Sequence, residues 1–157
     1  FDLFNESYAK LSSFVPISDR QKAYFKKKYL NFLSPEYIKF VVNKNDDLIA
    51  FAIVMPSFSK ALQKANGKLF PFGFYHLLQA KKHSKDVTFY LIGIRPDYQN
   101  KGVTTLLFTD MKKTFDLRGV ENCHRTPELE DNNAVHRLWK NFDPKIVKRR
   151  NTYRKDF

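Results

Sequence analysis

Leu48-Ile-Ala-Phe-Ala-Ile-Val-Met55 is the longest apolar run in the chain, eight residues with no polar interruption. A helix that crosses a bilayer takes about 20 such residues, so this run does not span a membrane. It has the length of a β-strand, and a strand without polar alternation needs cover on both faces. That requirement places it inside a sheet with helices packed above and below, as in an α/β or α+β fold.

The surrounding pattern supplies those partners. Residues 37–42 read as a strand, and Asn43-Lys-Asn-Asp-Asp47 forms a turn, so the two runs make a β-hairpin. Segment 1–35 reads as helical. Tyr8 and Leu11 form a short apolar stripe there, and Ser18 with Gln21 three residues later is a capping-box pair. Tyr24, Phe25, Lys28 and Tyr29 continue the second helix, with lysines at its C-terminal end, where cations complement the helix dipole. Over 57–66, Phe58, Ala61, Leu62 and Ala65 recur at helical spacing, and Asn66-Gly67 is a left-handed stop.

Phe70-Pro-Phe-Gly-Phe74 is a stiff aromatic elbow, read as core packing, and 75–83 follows as a helix. Residues 87–94 form a third strand, rich in β-branched and aromatic side chains. A helix over 102–115 carries Val103, Leu106, Leu107, Met111 and Phe115 on one side. A short strand at 120–124, a helix at 132–142 and a last strand at 145–153 complete the order. The expectation is a mixed, mostly antiparallel central sheet with helices on both faces. It is one domain over 1–157, with a helical segment 1–35 and a core 36–157.

Composition narrows the class. With 16 Phe, 8 Tyr and one Trp the chain can fill a large core. Its single cysteine, Cys123, allows no intrachain disulfide, reads as a small buried hydrophobe, and fits a reducing, cytoplasmic setting. The four histidines show no ligand pairing, so no metal site is expected. The chain opens at Phe1 with neither an initiator Met nor a leader, and reads as a piece of a longer protein. A formal net charge of +12 favours polyanionic partners. Lys145, Lys148, Arg149, Arg150, Arg154 and Lys155 are the basic cluster of the last strand, yet no base-stacking aromatics are interleaved as RNA recognition would need.

The stretch with most chemistry in it is Leu91-Ile-Gly-Ile-Arg-Pro-Asp-Tyr-Gln-Asn-Lys-Gly-Val-Thr-Thr105. A strand ends at Ile94, Pro96 blocks its continuation, and a polar loop feeds a helix opening at Gly102. The free N–H groups of a helix start carry partial positive charge and attract anions. Gly102 permits close approach to the backbone, and Lys101 adds a formal charge. This is a strand–loop–helix phosphate cradle, although it is neither a P-loop nor a dinucleotide turn.

Ile94-x-Pro96-x-Tyr98-Gln99-x-x-Gly102-x-Thr104 resembles the acetyl-CoA motif of the GNAT acetyltransferase superfamily, and Asn132-x-x-Val135-x-x-Leu138-Trp139-x-x-Phe142 is similar to that family's later helix. The stretches 61–74, 127–132 and 148–150 look like the C-terminal half of uncharacterised bacterial GNAT-like proteins. The resemblance implies that pantetheine lies where the sheet splays, against the backbone of Ile92, Gly93 and Ile94. It implies that the pyrophosphate rests on Gln99, Asn100, Lys101, Gly102, Val103, Thr104 and Thr105, with Asn132 beside the cofactor. The implied activity is direct acetyl transfer from acetyl-CoA to a small-molecule or peptide amine.

Two positions depart from the pattern. Thr104 replaces a small residue, and Trp139 stands where the family commonly has a tyrosine that protonates the thiolate. Indole is a donor without useful acidity. Tyr98 and His136 are candidate substitutes, and Glu121 or the acidic group Glu128, Glu130 and Asp131 is a candidate partner for the amine. The alternative functions are a catalytically silent CoA-binding module, a dimerising module that packs on a second copy or a missing N-terminal half, and a nucleic-acid-contacting domain.

Overall fold

The computed structural model describes residues 1–11, 14–29 and 33–155, apart from the side chains of Tyr29 and Ala134. The parts of the helical reading that fall on 12–13, 30–32 and the Tyr29 ring lie outside the described residues. Two N-terminal helices, α1 (Asp2–Tyr8) and α2 (Asp19–Tyr29), precede the strands β1 (Ile38–Val42) and β2 (Leu48–Pro56). The helices α3 (Ser59–Lys64) and α4 (Gly73–His83) lead to β3 (Asp86–Ile94), α5 (Val103–Arg118), β4 (Asn122–Arg125) and α6 (Asn133–Trp139). The capping box at α2 is present in both directions: Gln21 accepts from the Ser18 N–H at 2.9 Å, and the Gln21 N–H donates to Ser18 Oγ at 3.4 Å.

The sheet has the order β1-β2-β3-β4, with the first two pairings antiparallel and the last parallel. The apolar run of β2 is interior, as its lack of alternation requires. One face, carrying Ala50, Ala52 and Val54, packs with Val103, Leu107 and Met111 of α5 and with Trp139. On the other face Gly93 lies under the Phe51 ring and beside Ser7 of α1. Small residues at 50 and 52 let α5 approach the sheet closely.

A bulge interrupts β3. The register pairs Ile53 with Leu91 but Val54 with Phe89, so Tyr90 is the extra residue. Side chains alternate along a strand, and one inserted residue reverses the alternation. Val87 and Phe89 before the bulge, and Ile92 and Ile94 after it, therefore join the same apolar cluster.

Three expectations need correction. No strand forms over 145–153: Asp143 takes a left-handed turn (φ 46°), Pro144 follows, and Val147 is 83% exposed. A run of Lys148-Arg149-Arg150 leaves that segment without an apolar face to bury. The aromatic elbow is not core either, since Phe70 is 87% and Phe72 is 73% exposed. There Gly73 rather than the rings makes the close contact, its missing Cβ lying 1.9 Å from the Lys68 carbonyl oxygen. Cys123 is exposed, because β4 is the sheet edge and no fifth strand covers it.

Candidate active site

β3 and β4 are hydrogen-bonded neighbours for only part of their length. Asp86–Phe89 pair with Asn122–Arg125, and beyond them the strands part. Thr126 makes the last links, its N–H to the Phe89 carbonyl at 3.3 Å and its hydroxyl to the Tyr90 carbonyl at 3.4 Å. Five residues of β3, Tyr90 to Ile94, are left with a free edge. Arg95 donates to the Ile49 carbonyl at 2.9 Å, so by the antiparallel alternation Gly93 and Leu91 bond to β2. The peptide groups of Ile92 and Ile94 face the gap instead.

Side chains reach both of their carbonyls. Tyr8 Oη donates to the Ile92 oxygen at 2.9 Å, and Gln99 Nε2 donates to the Ile94 oxygen at 3.3 Å. The N–H groups of Ile92 and Ile94 have no acceptor among the described residues. They are donors on an open strand edge, suited to an extended amide chain.

The turn after β3 stands next to that edge. Pro96–Tyr98 is a single 3-10 turn, and the Arg95 side chain clasps Asp97 through Nε at 2.7 Å. Asn100 and Gly102 take left-handed conformations (φ 60° and 77°), and α5 starts immediately after. A Cβ at Gly102 would meet nothing within 4 Å, so backbone conformation rather than space demands glycine there. The N–H groups of Val103 and Thr104 open α5 and have no intrahelical acceptor. Arg95 and Lys101 both stand over the Tyr98 ring, 4.6 and 5.5 Å from its centroid, which holds two cations beside this helix start.

The gap itself is a cleft of about 240 Å³, whose walls include Tyr8, Tyr90, Ile92, Glu128, Asn132 and Trp139. Glu128 is the carboxylate among its lining residues. It accepts from Trp139 Nε1 at 3.1 Å and from Arg125 at 2.8 Å, while the Arg125 guanidinium lies 5.3 Å from the indole centroid. Desolvation raises the Tyr8 phenol above the ordinary tyrosine value despite its bond to Ile92, and the Glu128 charge pushes it the same way.

The residues singled out from sequence are distributed unevenly over this site. Ile92, Ile94 and Gln99 to Thr105 fall along one continuous path, from the strand edge to the helix start. Asn132 lines the cleft, with its carboxamide oxygen accepting from the Val135 N–H at 3.3 Å. Gly93 instead directs its peptide groups toward β2.

Tyr98, His136 and Glu121 are not brought together. Tyr98 lies in the 3-10 turn, within 3.5 Å of Asn43 Nδ2. His136 is exposed on α6, with a ring nitrogen 3.1 Å from the Leu129 carbonyl oxygen. Glu121 precedes β4 at the zipped end of the β3–β4 pair, bound to Lys85 at 2.5 Å. Sequence reasoning missed Tyr8 and Arg125; the apolar stripe through Tyr8 was the available signal for the first.

Residues 2–143 match the model of the Acetyltransferase (GNAT) family. The chain belongs to the GNAT acetyltransferase family. Protein YghO of Escherichia coli (strain K12) is 25% identical over 160 residues, covering 98% of this chain and 41% of that protein. This GNAT chain thus spans well under half the length of that relative.

Among solved structures, it resembles aminoglycoside N-acetyltransferase AAC(6')-Iy in complex with CoA, with a TM-score of 0.51, 15% identity and 88% of each chain covered. It also resembles an aminoglycoside acetyltransferase from an uncultured soil metagenomic sample in complex with sisomicin, with a TM-score of 0.53 and 12% identity over 99% of this chain and 84% of that one. At these identities the likeness establishes the GNAT fold. Among the described residues no helix is long and apolar enough to cross a membrane.

Proposed function

We propose that the chain is an acetyl-CoA-dependent N-acetyltransferase acting on an amine acceptor. The observation that carries this reading is the continuity of the open β3 edge with the Gly102 turn. Amide donors at Ile92 and Ile94 run into the free N–H groups at the start of α5. That path offers strand-like pairing at one end and an anion cradle at the other.

The residues suit the cofactor. Val103 and Thr104 would hold phosphate oxygens through their N–H groups, with Lys101 supplying a countercharge. Ile92 and Ile94 would pair with an amide-bearing arm through N–H and C=O groups, once Tyr8 and Gln99 release the carbonyls. Acetyl-CoA supplies an activated acetyl group and a thiolate leaving group. The Ile92 N–H, in a partly desolvated cleft, would stabilise negative charge on an acyl oxygen placed against it.

Glu128 is already paired with Arg125 and Trp139, so a strongly cationic acceptor gains little from it. The net charge of +12 opposes polycations further. Amines that carry a carboxylate or phosphate of their own are the first acceptors to try, with aminoglycosides as the contrasting group.

Calorimetry with acetyl-CoA tests the reading. Wild-type protein should bind, and Gly102→Glu, which adds a carboxylate and a strained φ at the helix start, should bind at least 10-fold more weakly. No binding by the wild type ends the proposal. A catalytically silent CoA-binding module is the second reading, favoured by one observation: the group at position 139 is an indole already bonded to Glu128. Binding without thiol release across an amine panel would select it.

A further inference from the structure

Acetyl transfer needs a proton for the departing sulfur, and Trp139 has none to give. A phenol stands in the same cleft. We propose that Tyr8, from α1, is the general acid of this site, donating its proton to the thiolate as the amine takes the acetyl group. This rests on the acetyl-transfer reading above and goes beyond it by naming the acid.

The geometry points to Tyr8 in three ways. Its hydroxyl donates to the Ile92 oxygen at 2.9 Å, so the phenol stands on the open β3 edge where a thioester arm would run. Its ring is packed, with the Phe4 centroid 4.6 Å and the Phe14 centroid 6.1 Å away, which fixes the hydroxyl. An arm that pairs with the Ile92 carbonyl displaces the Tyr8 O–H from it and leaves that proton facing the arm.

The other polar groups of the cleft are spoken for or unsuited. Glu128 accepts from Arg125 and Trp139. The Thr126 hydroxyl bonds the Tyr90 carbonyl, and the Asn132 oxygen caps α6. Tyr90 is the other phenol of the lining, 45% exposed on the bulge. An ordinary tyrosine is protonated at neutral pH, and desolvation shifts the Tyr8 phenol further in that direction.

The step balances without a further reactant. The amine lone pair forms the C–N bond to the acetyl carbon, and the C–S bond breaks with its electron pair passing to sulfur. The Tyr8 proton moves to sulfur. The proton lost from the amine nitrogen returns to the Tyr8 oxygen through water.

Tyr8→Phe keeps the ring and removes the O–H. The first probe is CoA itself, its thiol titrated in the complex by thiolate ultraviolet absorbance. A donor to the thiolate favours the ionised form. The bound thiol should therefore titrate about one pH unit higher in Tyr8→Phe than in wild type. The second readout is thiol release from acetyl-CoA, with water as acceptor if no amine of the panel serves. There kcat should fall about 10²-fold, with KM for acetyl-CoA little changed.

Identical titration in the two proteins, no thiol release by the wild type, or a loss that follows Tyr90→Phe instead, overturns the assignment. Acetyl-CoA binding by the wild type separates that failure from failure of the underlying reading.

Discussion

The indole N–H of Trp139 donates to Glu128 Oε1 at 3.1 Å, and the other oxygen of that carboxylate holds Arg125 at 2.8 Å. One side chain thus ties the end of α6 to β4 across the mouth of the cleft. Removing it strands two donors that are mostly shielded from water. Glu128→Ala should cost about 1–3 kcal/mol of unfolding free energy, measured by urea denaturation. Glu128→Gln should cost less, because an amide oxygen still accepts from the indole. A double-mutant cycle with Trp139→Phe should give a coupling near 1 kcal/mol; strict additivity would mean the bond contributes nothing.

Gly93 has no room for a methyl group. A Cβ there would lie 2.3 Å from Phe51 Cε1 and 3.0 Å from Ser7 Oγ. Gly93→Ala should destabilise the protein by about 1–3 kcal/mol through overpacking. Phe51→Leu in the same chain should recover part of that loss. Equal urea midpoints for wild type and Gly93→Ala would contradict the contact.

Asp86 sets an acid limit. The Lys60 ammonium at 2.6 Å, then the Asn122 amide at 2.8 Å, hold its carboxyl below the ordinary value of 3.8. A carboxyl lowered by folding contributes stability in full above its unfolded value and loses it as pH falls through the folded one. Urea midpoints should therefore drop on acidification below about pH 4. Asp86→Asn should flatten that drop, and an unchanged slope would show that Asp86 does not titrate with unfolding.

The exposed aromatic elbow predicts tolerance. Phe70→Ser and Phe72→Ser should each change stability by no more than about 0.5 kcal/mol, as surface positions do. Phe89→Ala, 4% exposed in the core, should cost about 3–5 kcal/mol. Thermal melts of the three variants make the comparison.

What could be read from the chain follows from how local each signal is. The Leu48–Met55 run, the Ser18–Gln21 box and the Asn66-Gly67 stop carry their structure in neighbouring residues, and each appears where expected. The loop from Pro96 to Gly102 is likewise local, so its path along the start of α5 was legible. Tyr8 was not, because its partner Ile92 is 84 residues away and no spacing rule reaches that far. Glu128 read as an acid near a helix start; its pair with Arg125 spans only three residues, but its bond to Trp139 exists only once α6 folds back beside β4. The strand expected at 145–153 failed for the opposite reason, since a few β-branched residues do not outweigh a polar, cationic segment with nothing to pack on.

The extra residue at Tyr90 matters more to the strand edge than to the core. Because it reverses the in–out order of β3, Ile92 and Ile94 point into the same interior as Val87 and Phe89. Delete that one residue and Phe89 runs straight into Leu91, with Val54 and Ile53 still opposite them and the apolar side chains still inside. What is lost is the local kink and extra twist of a bulge, at the point where β3 leaves β4. The bulge therefore serves the parting of two strands rather than the filling of the interior.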